Sequence, residues 1–245
     1  MKISIVVPSY NEKENVGLLI ASIEENLTDY QREIIIVDDD SPDGTWKIVD
    51  DISKTNKNVK LIHRTNERGL TSAFNKGLEL VTGDIVGWLD CDLTLPPDKL
   101  PFMLDEIKKG FDVVGCSRYI KDGADKRSDL RAVIGSWIIN KMGQLLLDSS
   151  VTDYTTGYIL CRREVIDNIK FRGDYGEYCI DFLYRAIKYG YKIKEIPLVL
   201  YDRKYGETKT ASNFINYIKR GKKYLGILLG NRFFRKYLDK KFNNK

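Results

Sequence analysis

The chain has 245 residues, 42% of them hydrophobic and 31% charged, with 40 Lys and Arg against 35 Asp and Glu for a net charge of +5. That balance excludes an intrinsically disordered chain, and the length suits one α/β domain with a large core. No apolar run reaches the roughly 18 residues that a bilayer-spanning helix needs, and the four cysteines (Cys91, Cys116, Cys161, Cys179) form no CxxC pair, which argues against a zinc site or a disulfide scaffold.

The predicted elements alternate. Ile3 to Pro8 is a nearly continuous apolar run, as in a strand buried on both faces. It starts directly after Met1-Lys2, which leaves no room for a signal peptide and sets a cytoplasmic expectation. Asn11 with Glu14 gives a helix-start signal, and Val16, Leu19, Ile20, Ile23 and Leu27 recur at helical spacing. Ile34 to Val37 reads as a second buried strand, and Ser41-Pro42 as the start of the next helix, with Trp46, Val49 and Ile52 inward. Val59 to His63 is a third strand, Asn66 to Gly69 a turn, and Ala73, Phe74, Gly77, Leu78 and Val81 a helix face. Asp84 to Leu89 is a fourth strand, followed by a helix from about Pro97 and a fifth strand at Asp112 to Cys116. Strand-helix alternation with short loops predicts a doubly wound, mostly parallel sheet.

The second half is less regular. Lys121 to Asp129 is polar and reads as a mobile loop. Val133, Ile134, Trp137, Ile138, Met142, Leu145 and Leu146 mark a long amphipathic helix. Tyr158 to Cys161 and Lys192 to Ile196 read as strands, with a helix at Ile180, Leu183 and Ile187 between them. A last helix carries Phe214, Ile218, Leu225, Leu228 and Leu229 on one side and Lys219, Arg220 and Lys223 on the other. After Asn213 ten Lys and Arg face one acid, Asp239, a composition suited to anionic lipid. Nucleic-acid binding by this tail is disfavoured, because it carries no recognition motif.

In a parallel sheet, ligands bind at the carboxyl ends of the strands. Three such ends are polar here: Pro8-Ser9-Tyr10-Asn11-Glu12, Asp38-Asp39-Asp40 and Asp90-Cys91-Asp92. Gathering carboxylates costs self-repulsion unless a cation or hydrogen-bond donors compensate. Asp90-x-Asp92 suits a hard divalent ion, which takes one or two carboxylates plus substrate phosphates; the bland alternative is a pair of solvated loop acids. One of Asp38 to Asp40 can hold a base N–H or a ribose, while Ser41 or Asp43 caps the helix. Arg118, Arg131 and Arg203 can meet phosphate through their planar forks; a surface role is the alternative for each. His63, the single histidine, reads as a packing residue.

Val6-Val7-Pro8-Ser9-Tyr10-Asn11-Glu12, Val37 to Thr45 and Asp90-Cys91-Asp92 resemble the motifs of the inverting family 2 glycosyltransferases. The likeness to the dolichyl-phosphate mannose synthase group extends in order to about residue 210: Arg68 to Ala73, Ser117-Arg118-Tyr119, Asp153 to Gly157, Arg162 to Val165, Glu195-Ile196-Pro197 and Arg203 to Lys209. The resemblance implies an α/β nucleotide-binding fold of the GT-A type over residues 1–210, with 211–245 a basic amphipathic extension at a membrane surface. It implies GDP-mannose as donor, a polyprenyl phosphate as acceptor, and Mg²⁺ or Mn²⁺. Pro8, Tyr10, Glu12, Val37 and Asp39 match nucleoside-holding positions. Asp90, Cys91 and Asp92 match the metal and donor motif, with Thr94 as a further metal ligand where close members can carry Gln. Arg118, Arg131, Arg203 and Lys209 match basic residues for the diphosphate and the acceptor phosphate; Asp92, Arg118 and Arg203 are the expected catalytic groups. Some members continue into transmembrane helices, so the basic end is expected on the cytoplasmic membrane surface or against a membrane-anchoring partner. The competing expectations are a UDP-glucose or other donor on the same lipid, and a non-catalytic nucleotide-sugar binding module.

Overall fold

A computed structural model describes residues 1–206 and 219–234 in full and the backbone of 214–218. Its centre is a seven-stranded sheet of order β3-β2-β1-β4-β7-β5-β8, formed by β1 (Lys2–Ser9), β2 (Gln31–Asp38), β3 (Val59–His63), β4 (Ile85–Trp88), β5 (Val113–Ser117), β7 (Ile159–Arg162) and β8 (Ile193–Pro197). β7 runs antiparallel to both β4 and β5, and the other pairings are parallel. The predicted, mostly parallel sheet is therefore present, with one reversed strand inserted at its middle.

Alternation of side chains sorts the core into two layers, because successive residues of a strand face opposite ways. Ile3, Ile5 and Val7 pack under α1 (Val16–Asn26), α2 (Thr45–Thr55) and α4 (Leu100–Lys108), together with Ile34 and Ile36. Val6, Ile35, Val37, Val86 and Trp88 pack on the other face against α3 (Leu70–Leu78), α6 (Arg163–Asn168), α7 (Tyr178–Lys188) and part of α8 (Phe214–Phe233). α3 comes so close to the sheet that a Cβ on Gly77 would collide with Val6 and Val37, so only glycine fits there. All four cysteines are buried and free, as small core residues.

Several expectations on local structure are corrected. α1 starts at Val16, not near Asn11, and Asn11 instead takes a left-handed φ of 53°. α2 starts at Thr45: Ser41 to Gly44 form a turn, and Asp43 caps the helix through Thr45 N at 2.9 Å. Trp46 is half-buried and stacks on His63 with ring centroids 4.4 Å apart, which bears out the packing role of His63. The segment Lys121 to Asp129 is held in place, because β6 (Ala124–Asp125) pairs in parallel with β9 (Val199–Leu200). No hydrophobic alternation announces such two-residue strands.

α5 (Leu130–Leu146) has the expected helical spacing, yet its apolar residues Leu130, Ile134, Trp137, Ile138 and Leu145 point outward, Leu145 being 85% exposed. Asn140 and Gly143 form its inward face, where a Cβ on Gly143 would meet the Tyr154 ring. In α8, Ile227, Leu228 and Asn231 are buried, whereas Leu225 and Leu229 are partly exposed, so the inward face is rotated from the one expected. Phe214 and Ile218 lie outside the described side chains.

A candidate active site at the carboxyl ends of three adjacent strands

Strands β2, β1 and β4 are neighbours, and their registers place Ser9 beside Asp38 and Val6 beside Trp88. The three polar strand ends named from the sequence thus share one edge of the sheet, the edge where an open α/β sheet binds ligands. Each end contains a non-glycine residue in the left-handed region: Asn11 (φ 53°), Asp40 (φ 56°) and Leu93 (φ 63°). Asn and Asp tolerate this conformation, but Leu does so at a cost of about 1–3 kcal/mol, and such strain collects at functional sites.

Leu93 has a visible use. The turn it makes returns Thr94 to Asp92, whose Oδ1 accepts from Thr94 N (3.1 Å) and Thr94 Oγ1 (2.7 Å). Asp92 is thereby oriented, and Asp90 on the same turn is exposed. Cys91 between them is buried in the core beneath, which anchors the pair. Two carboxylates and a hydroxyl are hard oxygen donors, a fit for Mg²⁺ or Mn²⁺ when substrate phosphates complete the shell. Among the described residues no group of three or more His, Cys, Asp or Glu is placed to hold a metal ion.

The other acids are largely compensated by the protein itself. Asp38 accepts from Ser9 Oγ (2.7 Å), Ser41 Oγ (2.7 Å) and Ser41 N (2.9 Å), and so ties the first two strand ends together. Asp39 accepts from Arg64 Nε (2.7 Å), from Arg64 Nη2 and from Gly69 N (2.8 Å). Asp40 pairs with His63 Nε2 at 2.8 Å. Glu12 accepts from Asn15 Nδ2 (2.7 Å) and Arg203 Nη2 (2.7 Å). Repulsion among rim carboxylates therefore does not by itself demand a metal for all of them; the sequence argument for a cation narrows to Asp90 and Asp92. Pro8 and Val37 are buried and paired in register, and build the floor beside Tyr10, whose ring lies 5.2 Å from the Arg68 guanidinium.

Arg118 departs from its expected place at a phosphate. It is 4% exposed, and all five of its N–H groups are committed. Nε and Nη2 donate to Asp153 (2.7 and 2.8 Å), Nη2 also to Thr155 Oγ1 (2.7 Å), and Nη1 to Asp125 Oδ2 (3.0 Å) and Ser136 Oγ (3.5 Å). Burial alone would raise the Asp153 carboxyl; the charge and hydrogen bonds of Arg118 more than offset that and hold it below its ordinary value. Asp125 also takes Arg127 Nε and Nη2 (2.8 and 2.6 Å), so β6 is tied to the segment after β5 through Arg118. Beneath them, Glu195 of β8 accepts from Thr152 N (2.9 Å) and Asp153 N (2.8 Å), with its carboxyl raised by burial.

The remaining basic residues divide. Arg203 follows β9 and reaches Glu12, which brings the segment after β9 to the end of β1. Arg131 stands exposed on the first turn of α5, paired with the capping residue Asp129 at 3.1 Å. Lys209 lies outside the described residues. The sequence reading missed Arg64, Asp125 and Asp153 as partners of its candidate acids and of Arg118. Arg64 had one available signal: it follows β3 directly, where a cation can face the acidic end of β2, and its N–H donates to Asp38 O at 2.8 Å.

The chain is similar to known proteins in sequence and in fold. The chain is 33% identical over 233 residues to the dolichol-phosphate mannosyltransferase of Pyrococcus furiosus, covering 92% of this chain and 65% of that one. It is 32% identical over 218 residues to the polyprenol monophosphomannose synthase of Mycolicibacterium smegmatis, covering 86% of this chain and 82% of that one. The chain thus spans just under two thirds of the Pyrococcus protein's length. Its fold matches glucosyl-3-phosphoglycerate synthase from Mycobacterium tuberculosis, a structure in complex with Mn²⁺, UDP and phosphoglyceric acid, with a TM-score of 0.70 at 17% identity over 95% of this chain and 78% of that one. The model of the family Glycosyl transferase family 2 matches residues 4–170, within which lie all three strand ends and the Arg118–Asp153 pair, and the chain belongs to that family.

Proposed function

We propose that this protein transfers a mannosyl residue from GDP-mannose to a polyprenyl phosphate, with inversion at the anomeric carbon, at the cytoplasmic surface of a membrane. The observation that carries the reading is the convergence of Pro8 to Glu12, Asp39 and Asp90 to Asp92 on adjacent strand ends, in a chain about one third identical to two proteins named for polyprenyl-phosphate mannose transfer.

Each part has a task in this reading. Asp39, fixed by Arg64 and Gly69 N, presents a rigid carboxylate to the nucleoside, beside the Tyr10 ring and the Pro8–Val37 floor. Asp90 and Asp92 hold Mg²⁺ or Mn²⁺, with Thr94 fixing the Asp92 carboxylate. When bound, the ion neutralises charge on the departing nucleoside diphosphate. An acceptor phosphate already has an anionic oxygen, so the protein needs no strong general base; positioning and charge stabilisation suffice. Arg203, Arg131 and Lys209 supply positive charge for the acceptor phosphate, with Arg203 exchanging Glu12 for it. Arg118 acts in this scheme by holding the Asp153 to Thr155 segment in place.

The same reading assigns the membrane contact. Among the described residues no helix is long and apolar enough to cross a membrane. The outward apolar stripe of α5 suits peripheral attachment to a lipid surface, with the exposed Lys219 and Lys222 of α8 adding positive charge for anionic headgroups, and a membrane-anchoring partner protein would add to it.

Incubation with radiolabelled GDP-mannose or UDP-glucose and polyprenyl phosphate, followed by extraction of the lipid, tests the donor. Label entering lipid from GDP-mannose supports the proposal, and label entering from UDP-glucose alone overturns the mannose assignment. No transfer from either, with nucleotide-sugar binding retained, would support a binding module instead.

A further inference from the structure

The C-terminal helix α8 touches the domain at an informative place. Arg220 stacks on the Tyr175 ring, 4.2 Å from its centroid, and Lys223 Nζ pairs with Asp174 at 3.0 Å. Tyr224 lies so close to Gly176 that a Cβ there would collide with its phenol oxygen. Three successive residues of one turn, Asp174 to Gly176, therefore meet one face of α8. That turn leads straight into α7, and Tyr178 N donates back to Tyr175 O at 3.3 Å.

The same turn also contacts the segment that holds Asp39. Tyr175 O accepts from Thr71 Oγ1 at 3.2 Å, at the start of α3. Two residues earlier, Gly69 gives its N–H to Asp39 (2.8 Å) and its carbonyl to Arg64 Nη2 (3.1 Å). Only the turn and the first residues of α3 thus separate α8 from the carboxylate assigned to the nucleoside. Tyr178 also packs on Phe74 of α3, with ring centroids 5.1 Å apart, so turn and helix are joined by packing as well as by a hydrogen bond.

We infer that α8 is a positioning element of the donor site: through Tyr224 and Arg220 it fixes the Asp174 to Gly176 turn, which sets the start of α3 and with it Asp39. This rests on the assignment of Asp39 to the nucleoside in the proposed function. The physical basis is rigidity. The close approach of the Tyr224 phenol to Gly176, the Arg220–Tyr175 stack and the packing of the half-buried Tyr224 ring tie the turn to α8 when the helix is seated. With α8 displaced, Thr71 loses the acceptor that its hydroxyl holds, and the Gly69–Asp39 contact loses its support.

The test is nucleotide binding by the full chain, measured by titration calorimetry with GDP and with UDP in the presence of Mn²⁺. Tyr224→Ala is expected to weaken binding of the preferred nucleotide about 3- to 30-fold, the range in which residues contacting neither ligand modulate coupling. Tyr224→Phe, which keeps the ring beside Gly176, is expected to retain wild-type affinity. Combining Tyr224→Ala with Thr71→Val is expected to cost no more than the larger single change, because both cut one connection. In steady state the loss appears in the donor KM, with the acceptor KM unchanged. If Tyr224→Ala does not fold, Arg220→Gln removes the stack on Tyr175 without opening a cavity and serves in its place. A variant with a lowered melting temperature and unaltered nucleotide affinity overturns the inference, as do fully additive effects of the two substitutions. A wild-type protein that binds neither GDP nor UDP overturns the donor-site reading itself, and this inference with it.

Discussion

Replacing Arg118 by Ala separates two roles for that residue: ligand of a phosphate, or internal strut. The side chains of Arg118, Asp153 and Asp125 are 3%, 0% and 3% exposed, so the substitution strips the buried Asp153 carboxylate of its cation, whereas Asp125 keeps Arg127. Removing one member of a buried ion pair costs about 3–5 kcal/mol, a large share of the roughly 5–15 kcal/mol that holds a domain folded. At about 2–4 °C per kcal/mol for a chain of this size, the melting temperature should fall by about 6–20 °C. The loss should depend on pH. Asp153 and Asp125 are both held below their ordinary value of 3.8 in the folded protein: burial raises each, and the partner cations and hydrogen bonds offset it. Their contribution is present above that value and fades as pH falls through the lowered folded pKa, so the deficit of the variant shrinks in acid. Urea and thermal melts of the full chain at pH 7 and near pH 3 measure both effects. Replacing Arg118 by Met and Asp153 by Leu together should recover part of the loss, since the buried charge leaves with its partner. Unchanged stability combined with a hundredfold or larger loss of transfer would refute the strut and return Arg118 to the phosphate.

Asp92→Ala should abolish transfer while leaving the fold intact, and a chelator should do the same to the wild type, with Mg²⁺ or Mn²⁺ restoring it; undiminished turnover in either case defeats the assigned metal role. Arg64→Ala should weaken nucleotide binding by about tenfold or more, because Asp39 loses its charge partner and its orientation; equal affinity in calorimetry would remove Asp39 from the nucleoside site. Glu33 lies at the opposite end of the sheet, and burial raises its carboxyl, but hydrogen bonds from Lys60, Ser4 and Thr82 N bring it from 4.5 to about 2. Its stabilisation is therefore full above about pH 4.5 and lost toward pH 2, so Glu33→Gln should destabilise the protein at pH 7 and match the wild type near pH 2 in denaturant melts. Trp137→Glu with Leu145→Glu should reduce flotation on anionic vesicles without lowering the melting temperature, since both side chains are exposed; unaltered flotation would remove α5 from the proposed membrane face.

How much was legible in the sequence differs between its halves. The strands β1 to β5 and the helices between them follow from apolar runs and helical spacing, because a strand covered on both faces must be apolar throughout. The candidate metal-binding pair was legible as acids placed at the end of such a run, and the candidate nucleoside positions through the family resemblance. β6 and β9 carry no such signal: two-residue strands have too few side chains for alternation, and they exist because their backbones find each other after the chain has folded. The apolar residues of α5 were legible as one stripe, but periodicity does not say whether a stripe faces the core or the outside. Its inward face is set instead by Asn140, bonded to Thr155, and by Gly143 against Tyr154.

The sequence by itself determined that acids and aromatic residues would stand at the ends of buried strands, because that pattern is local: each run and its terminal residues lie within a few positions of one another. Only the tertiary structure decided which of those acids are already satisfied. Arg64, His63 and Arg203 come to Asp39, Asp40 and Glu12 from 25, 23 and 191 residues away, and Asp153 reaches Arg118 across 35. Charge compensation depends on distance in space, and that distance is fixed by strand order β2-β1-β4 and by the pairing of β6 with β9, neither of which is written in any single stretch of the chain.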